Sequence, residues 1–243
     1  MIKTTVICAV WNMDPARHEL LKEHQENLDH QTINVERIYI FDNNDLPPNF
    51  LKGSHIICNH DLSIYEAWNL AITLCRTPFI MNLNLDDRLC CNAIEKLEFE
   101  IDKNTGDLIG GDWKITYTQD DTNNTSKCYP ANSIPFVKGW PLPEGTLSRL
   151  GSGTGDRGTF GPATLWKISN HLKLPRYPYR TSDNKLIRSV ADSVYWTLLI
   201  NLKFKLVRIP VIIGHYHHHP SNQAEFRHKN DHALIENGGI SFL

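Results

Sequence analysis

The sequence predicts an α/β domain with a mostly parallel central sheet flanked by helices, and three observations carry that expectation. Short apolar runs rich in β-branched residues recur, they alternate with stretches of helical spacing, and several stop abruptly at polar or acidic residues. Strands alternating with helices form βαβ units, and their parallel strands are buried on both faces, so they read as continuous apolar runs.

The first strand is Thr4-Thr5-Val6-Ile7-Cys8-Ala9-Val10, running out through Trp11 and Asn12 into a polar turn. Helical spacing from Pro15 to Asn27 follows, with Leu20, Leu21 and Leu28 as an apolar stripe and Asp14 placed to cap the first turn. Val35 to Phe41 is a second strand, ending in Asp42-Asn43-Asn44-Asp45, and Ser54 to Cys58 is a short third before the helix Ser63 to Cys75. The run Phe79-Ile80-Met81-Asn82-Leu83-Asn84-Leu85 then gives way to Asp86-Asp87-Arg88. Asp is a poor strand residue, so the chain leaves the core there and delivers carboxylates to a surface crevice. In open α/β sheets ligands bind at the carboxyl ends of strands, and hard oxygen donors suit Mg²⁺ or Mn²⁺ holding a phosphate-bearing ligand. A strand followed by an Asp-rich turn explains this segment equally well when it is taken alone. Three strands that discharge polar or acidic residues at one end favour a nucleotide-binding edge.

Composition bounds the remainder. A chain of 243 residues can bury one substantial core, or one core with a smaller appendage. The division expected is a main domain over 1–219 and a C-terminal extension over 220–243 packing on it. Lys and Arg number 25 against 27 Asp and Glu, so nucleic-acid binding is not indicated by charge. No apolar run approaches the roughly 20 residues that span a bilayer. Cys8, Cys58, Cys75, Cys90, Cys91 and Cys128 form no CxxC pair and no zinc-ligand spacing. They read as small hydrophobes in a reduced compartment, which places the protein in the cytoplasm, at most peripheral to a membrane.

Farther on, Leu108 to Tyr117 reads as a strand and Gln119 to Ser126 as a surface turn. Proline and glycine punctuate Tyr129 to Gly161. Within that stretch Gly151 to Gly158 is either a mobile loop near the site or a plain linker, and it matches no phosphate-binding fingerprint. Lys185 to Asn201 has helical length and carries Asp192, Tyr195 and Trp196; a strand from Phe204 to Ile213 leads into Gly214-His215-Tyr216-His217-His218-His219-Pro220. Neutral imidazole ligates borderline divalent metals, so one His there is a candidate to complete a metal site begun by Asp86, the others being solvated.

In chain order, the motifs are Cys8 to Asn12, Asp42-Asn43, Ala67-Trp68-Asn69-Leu70-Ala71, Asn84-Leu85-Asp86-Asp87, Thr159 to Trp166, Ala191-Asp192-Ser193-Val194-Tyr195-Trp196, and Tyr216 with a following His. This order resembles the inverting glycosyltransferases of family 2, which have the GT-A fold, and covers roughly residues 3 to 222. The resemblance implies a hexosyltransferase that moves sugar from a nucleotide-diphosphate sugar, a UDP-sugar first of all, to a hydroxyl acceptor of carbohydrate type. It places Ala9, Trp11, Asn12, Asp42, Asn69, Asn84, Leu85 and Asp86 around the nucleotide, with Asp42 accepting from the base. Asp86 would bind Mn²⁺ or Mg²⁺ in a DXD-like motif, joined by His219 or, second, His217. Asp87 and Arg88 would reach the donor sugar or phosphate, and Asp192 would be the general base. Trp166 and Trp196 are candidate sugar platforms, although core packing explains both more simply.

Three positions depart from the family pattern. Asn84 stands where many relatives carry the first Asp of the motif, Ala191 where they carry Glu, and Trp68 where they often carry Arg. A non-catalytic nucleotide- or glycan-binding module therefore stays open. A sugar-nucleotide nucleotidyltransferase stays open too, although Ala9 to Pro15 lacks the Gly-rich basic loop that class expects.

Overall fold

A computed structural model describes residues 1–131, 156–157, 163–173, 176–189, 191–218 and 240–241. Its strands are β1 (Thr4–Val10), β2 (Glu36–Phe41), β3 (Ser54–Ile57), β4 (Phe79–Asn82), β5 (Arg88–Leu89), β6 (Leu108–Thr116), β7 (Tyr129–Pro130), β8 (Asp156–Arg157), β9 (Leu165–Lys167), β10 (Arg180–Thr181), β11 (Leu206–His217) and β12 (Ile240–Ser241). The helices are α1 (Pro15–Asp29), α2 (Ile64–Leu74), α3 (Ala93–Lys103), α4 (Gln119–Asn123) and α5 (Ala191–Asn201). The main sheet runs β3-β2-β1-β4-β9-β6-β11-β5, with β7 on β11 and β8 on β6. Along that path β3, β2, β1, β4, β6 and β11 share one direction, and β9 and β5 run against them. The carboxyl ends of β1, β2, β4, β6 and β11 therefore open on one edge.

Side chains alternate across the sheet with the period of two that a strand imposes. Ile7 and Ile80 face a cluster with Tyr65, Trp68, Ala71, Tyr177, Tyr195 and Leu199. Their neighbours Val6, Phe79 and Met81 face Ile94, Leu97 and Ile101 of α3 on the other side. Covering both faces explains why these strands are apolar throughout.

Local signals set most boundaries. Asp14 caps α1 by accepting the Arg17 N–H at 2.9 Å, and Ser63 caps α2 by accepting the Glu66 N–H at 3.2 Å. Two segments differ from the expectation. The turn expected over Gln119 to Ser126 begins with a helical turn, because Thr118 accepts the Asp121 N–H at 3.2 Å; Asp, Asn and Thr favour caps as well as loops. The helix expected from Lys185 starts at Ala191 instead. Lys185 and Ile187 are committed elsewhere: Lys185 N–H donates to the Thr181 hydroxyl at 3.0 Å and Ile187 N–H to the Tyr179 carbonyl at 2.8 Å.

Strand β11 also continues past Ile213, through Gly214 to His217. A Cβ at Gly214 would meet the Arg88 carbonyl oxygen and the Trp113 ring, each at 2.5 Å, so glycine is required where β11 crosses β5. The first part of the His run is thus strand: His215 and His217 are buried. The glycine-rich stretch Gly151 to Gly158 lies outside the described residues except for Asp156–Arg157, which pairs with Trp113 and Lys114 of β6. Strand β12 pairs with β10, Thr181 opposite Ile240. Among the described residues no helix is long and apolar enough to cross a membrane.

Candidate active site at the carboxyl edge of the sheet

Adjacent parallel strands β2, β1 and β4 end within one crevice, and each hands the chain to a turn. Asn12, Asn43 and Asn44 take left-handed backbone angles, φ 52°, 49° and 60°, which Asn tolerates better than other side chains and which let the chain reverse at once. The Asp45 carboxylate accepts the Met13 N–H at 2.9 Å and ties the turn after β1 to the turn after β2. Trp11 is exposed on this edge, with the Arg17 guanidinium 3.7 Å from its ring centroid. Ala9 is half-buried, whereas the Leu85 side chain packs with Cys8, Val10 and Phe41, away from the nucleotide role expected of it.

Asp42 is 3% exposed; one carboxylate oxygen accepts the Leu62 N–H at 3.3 Å and the other has no hydrogen-bond donor. Burial raises its pKa, the Leu62 N–H opposes the rise, and the nearby carboxylates of Asp61 and Asp45 add to it. A buried acceptor lacking a donor is a demand that a ligand N–H can meet.

The adjacent carboxylates Asp86 and Asp87 have different fates. Asp87 is 1% exposed, accepting the His217 N–H at 3.0 Å and the Asn84 amide at 3.1 Å. Burial first, then the charge of Asp86, holds its pKa well above the usual carboxylate range. Arg88 is equally enclosed. Its guanidinium donates to Asn123, to the Leu85 and Asp87 carbonyls and to Glu23, each at 2.8 Å. The structure therefore gives Asp87 and Arg88 bracing contacts inside the protein, where donor-sugar or phosphate contacts were expected. Asp86 stays half-exposed at the turn, and the Asn84 side-chain oxygen beside it is buried with no hydrogen-bond partner.

The Asp87 contact places the end of β11 against this turn. His217 Nδ1 lies 2.8 Å from Gln119 Oε1, so with the ring donating there its lone pair resides on Nε2. His215 Nδ1 is used on the Asp121 carbonyl at 2.9 Å, and burial lowers its pKa. His219 lies outside the described residues. Among the described residues no cluster of three or more His, Cys, Asp or Glu forms a ready-made metal cage. Asp86 and the Asn84 oxygen still fit Mg²⁺ or Mn²⁺ of the kind that takes one or two protein oxygens and completes its shell with phosphate and water.

Asp192 lies in the first turn of α5, and the hydroxyl of Tyr65, from the first turn of α2, donates to it at 3.4 Å. Asn69, expected at the nucleotide, is occupied instead: its amide donates to the Tyr177 carbonyl and accepts the Tyr177 N–H, both at 2.9 Å. Tyr65, Trp68, Tyr177 and Tyr195 pack around that clamp, with Tyr177 and Tyr195 ring centroids 4.1 Å apart. Trp166 is core, 1% exposed and bonded through Nε1 to His171, which corrects its candidacy as a sugar platform. The Trp196 side chain lies outside the described set. Sequence reading missed Asp61, Tyr65 and Arg188; the spacing of Tyr65 and Asn69 on one face of α2, with Asp61 in the turn just before its cap, was the available signal.

This sheet order, with helices on both faces, is a GT-A-like fold. No protein-family model matches the chain, and no curated protein matches it in sequence. Among solved structures it is similar to S. aureus TarS 1–349 in complex with UDP, at TM-score 0.60 and 12% identity over 99% of this chain and 67% of that one. A mannosyltransferase from Pyrobaculum calidifontis, in complex with GDP-Man and Mn²⁺, matches at TM-score 0.58 and 11% identity, over 98% of this chain and 66% of that one. A CMP:2-keto-3-deoxy-manno-octonic acid synthetase complexed with CTP matches at TM-score 0.50 and 11% identity. Against a longer TarS structure this chain spans 41% of the length.

Proposed function

We propose that the chain is a nucleotide-sugar transferase of inverting type, moving a hexose from a UDP-sugar to a hydroxyl acceptor. The observation that carries the reading is Asp42, a buried carboxylate with an unmet hydrogen-bond demand, at the same strand edge as the Asn84–Asp86 turn; the Tyr65 bond from α2 to the helix-borne Asp192 supports it. Asp42 would accept the nucleobase N–H, and Trp11 and Asn12 would line the nucleoside. A divalent ion, Mn²⁺ or Mg²⁺, would be held by Asp86 with Asn84 Oδ1 and a histidine at 219 or 217, and when bound it supplies charge stabilisation to the departing diphosphate. Asp192 would take the proton of the acceptor hydroxyl as that oxygen attacks the anomeric carbon from the face opposite the nucleotide. The hydrogen bond from Tyr65 would hold its carboxylate toward the crevice. We place this activity in one domain over 1–219, with 220–243 as an extension on it; the pairing of β12 with β10 supports that reading.

The test is thermal stabilisation by a panel of nucleotides and nucleotide sugars, with and without Mn²⁺, since a ligand selective for the folded state raises apparent stability. A Mn²⁺-dependent shift with UDP or one UDP-sugar is expected, and Asp86→Ala should abolish the metal dependence. No shift with any nucleotide would overturn the reading. The full-length likeness to a CTP-binding synthetase, 96% of this chain and 98% of that one, keeps a nucleotidyltransferase as second reading. Pyrophosphate release from CTP and a sugar acid would decide for it.

A further inference from the structure

Arg188 lies three positions before α5, and its guanidinium grips both carboxylate oxygens of Asp61, one through Nη1 at 3.4 Å and the other, more closely, through Nη2. The two residues are 127 positions apart in sequence. Side-chain exposures of 34% and 48% make this a solvent-accessible pair, and such pairs contribute little to stability. Its position is more informative. Arg188 holds the pKa of Asp61 below the usual range, and the charge of Asp61 helps to push the pKa of Asp42 up. The next residue, Leu62, donates its N–H to Asp42. Four and eight residues beyond Asp61, Tyr65 reaches Asp192 and Asn69 clamps Tyr177. One face of α2 and its leading turn thus holds the approach to α5 at three points, and the first of them adjoins Leu62, the residue bonded to Asp42.

We propose that Asp61 is a positioning residue that couples the two ends of the site: a nucleobase seated on Asp42 tightens the Asp61–Arg188 contact and so holds the start of α5, with Asp192, in place. The proposal rests on the nucleotide-sugar reading above. It assigns Asp61 and Arg188 no contact with the reacting atoms. Coupling of this kind requires that both ligand and helix bias one two-state contact, and an exposed, weakly stabilising ion pair is suited to opening and closing.

Backbone hydrogen exchange tests it directly, on wild type, Asp61→Asn and Arg188→Gln, each with and without UDP and Mn²⁺. UDP should slow exchange of the Ala191 to Tyr195 amides about tenfold in wild type and less than about twofold in either variant, while calorimetry still detects UDP binding to all three. Arg188→Lys, which keeps the cation, should recover part of the response. In turnover the two disrupting variants should lose about tenfold in kcat with donor KM nearly unchanged, the signature of a displaced rather than an absent catalytic group. If UDP binds all three proteins and protects α5 equally, the coupling is overturned and the transferase reading stands. If UDP binds none of them, the transferase reading has failed and the coupling falls with it.

Discussion

Along the strand-end side of the crevice, Asn12, Asp42 and Asn84 follow adjacent parallel strands whose ladder sets their spacing: Val10 is in register with Phe41, and Ile7 with Asn82. Along the helix side, Asp192 is placed by side-chain contacts from α2, at separations of 127 residues for Tyr65 to Asp192 and 108 for Asn69 to Tyr177. Backbone ladders are repetitive and tolerate substitution at single positions. Side-chain clamps concentrate the same task in a few groups. The strand-end side thus draws the spacing of its groups from a backbone that single substitutions leave in place, and the helix side is a precise placement that single mutations can undo.

Asp192→Asn should show the largest effect, a loss of about 10²- to 10⁴-fold in transfer with UDP affinity unchanged, read by turnover and calorimetry. Retained activity would remove Asp192 as the base and leave the helix side without chemistry. Arg88→Met tests the brace beneath the acidic turn. Withdrawing a buried guanidinium from Glu23 and two carbonyls should cost about 3–5 kcal/mol in denaturant unfolding. A cost below about 1 kcal/mol would mean that the turn is held by the ladder alone.

Asn69→Ala should come next, at about 2–4 kcal/mol, because it leaves the buried Tyr177 N–H and carbonyl without partners. It should also lower kcat more than it weakens UDP binding; an equal loss in both would place Asn69 at the nucleotide after all. The smallest effect is expected from Asp42→Asn. The folded-state pKa of Asp42 is raised, so the folded protein holds that proton to higher pH than the unfolded chain does. Its contribution is therefore favourable in acid and is lost as pH rises from the ordinary 3.8 through the folded value. The amide removes this penalty: the unfolding midpoint at neutral pH should stay level or rise, the difference closing below pH 3.8, while UDP binding weakens. A lower midpoint at neutral pH would show that the ionised carboxylate stabilises the fold.

What the amino-acid sequence determined by itself was local and periodic. Apolar runs set β1, β2 and β4; Asp14 and Ser63 set where α1 and α2 begin; abrupt polar ends marked the edge where a ligand would sit. The GT-A resemblance came from the order of those same features. The tertiary structure alone decided which polar groups at that edge face the crevice. Asp86 and Asp87 are indistinguishable in a sequence, yet β11 buries one by donating the His217 N–H to it and leaves the other half-exposed. Arg88 and Asn69 carry the side chains of ligand-binding residues, but their partners come from distant segments. Lys185 to Ile187 has helical composition, but the hydrogen bonds to Tyr179 and Thr181 outweigh it. The physical reason is common to all four. Propensity and periodicity act over a few neighbouring residues, whereas satisfying a buried polar group depends on whichever partner the fold brings within about 3 Å.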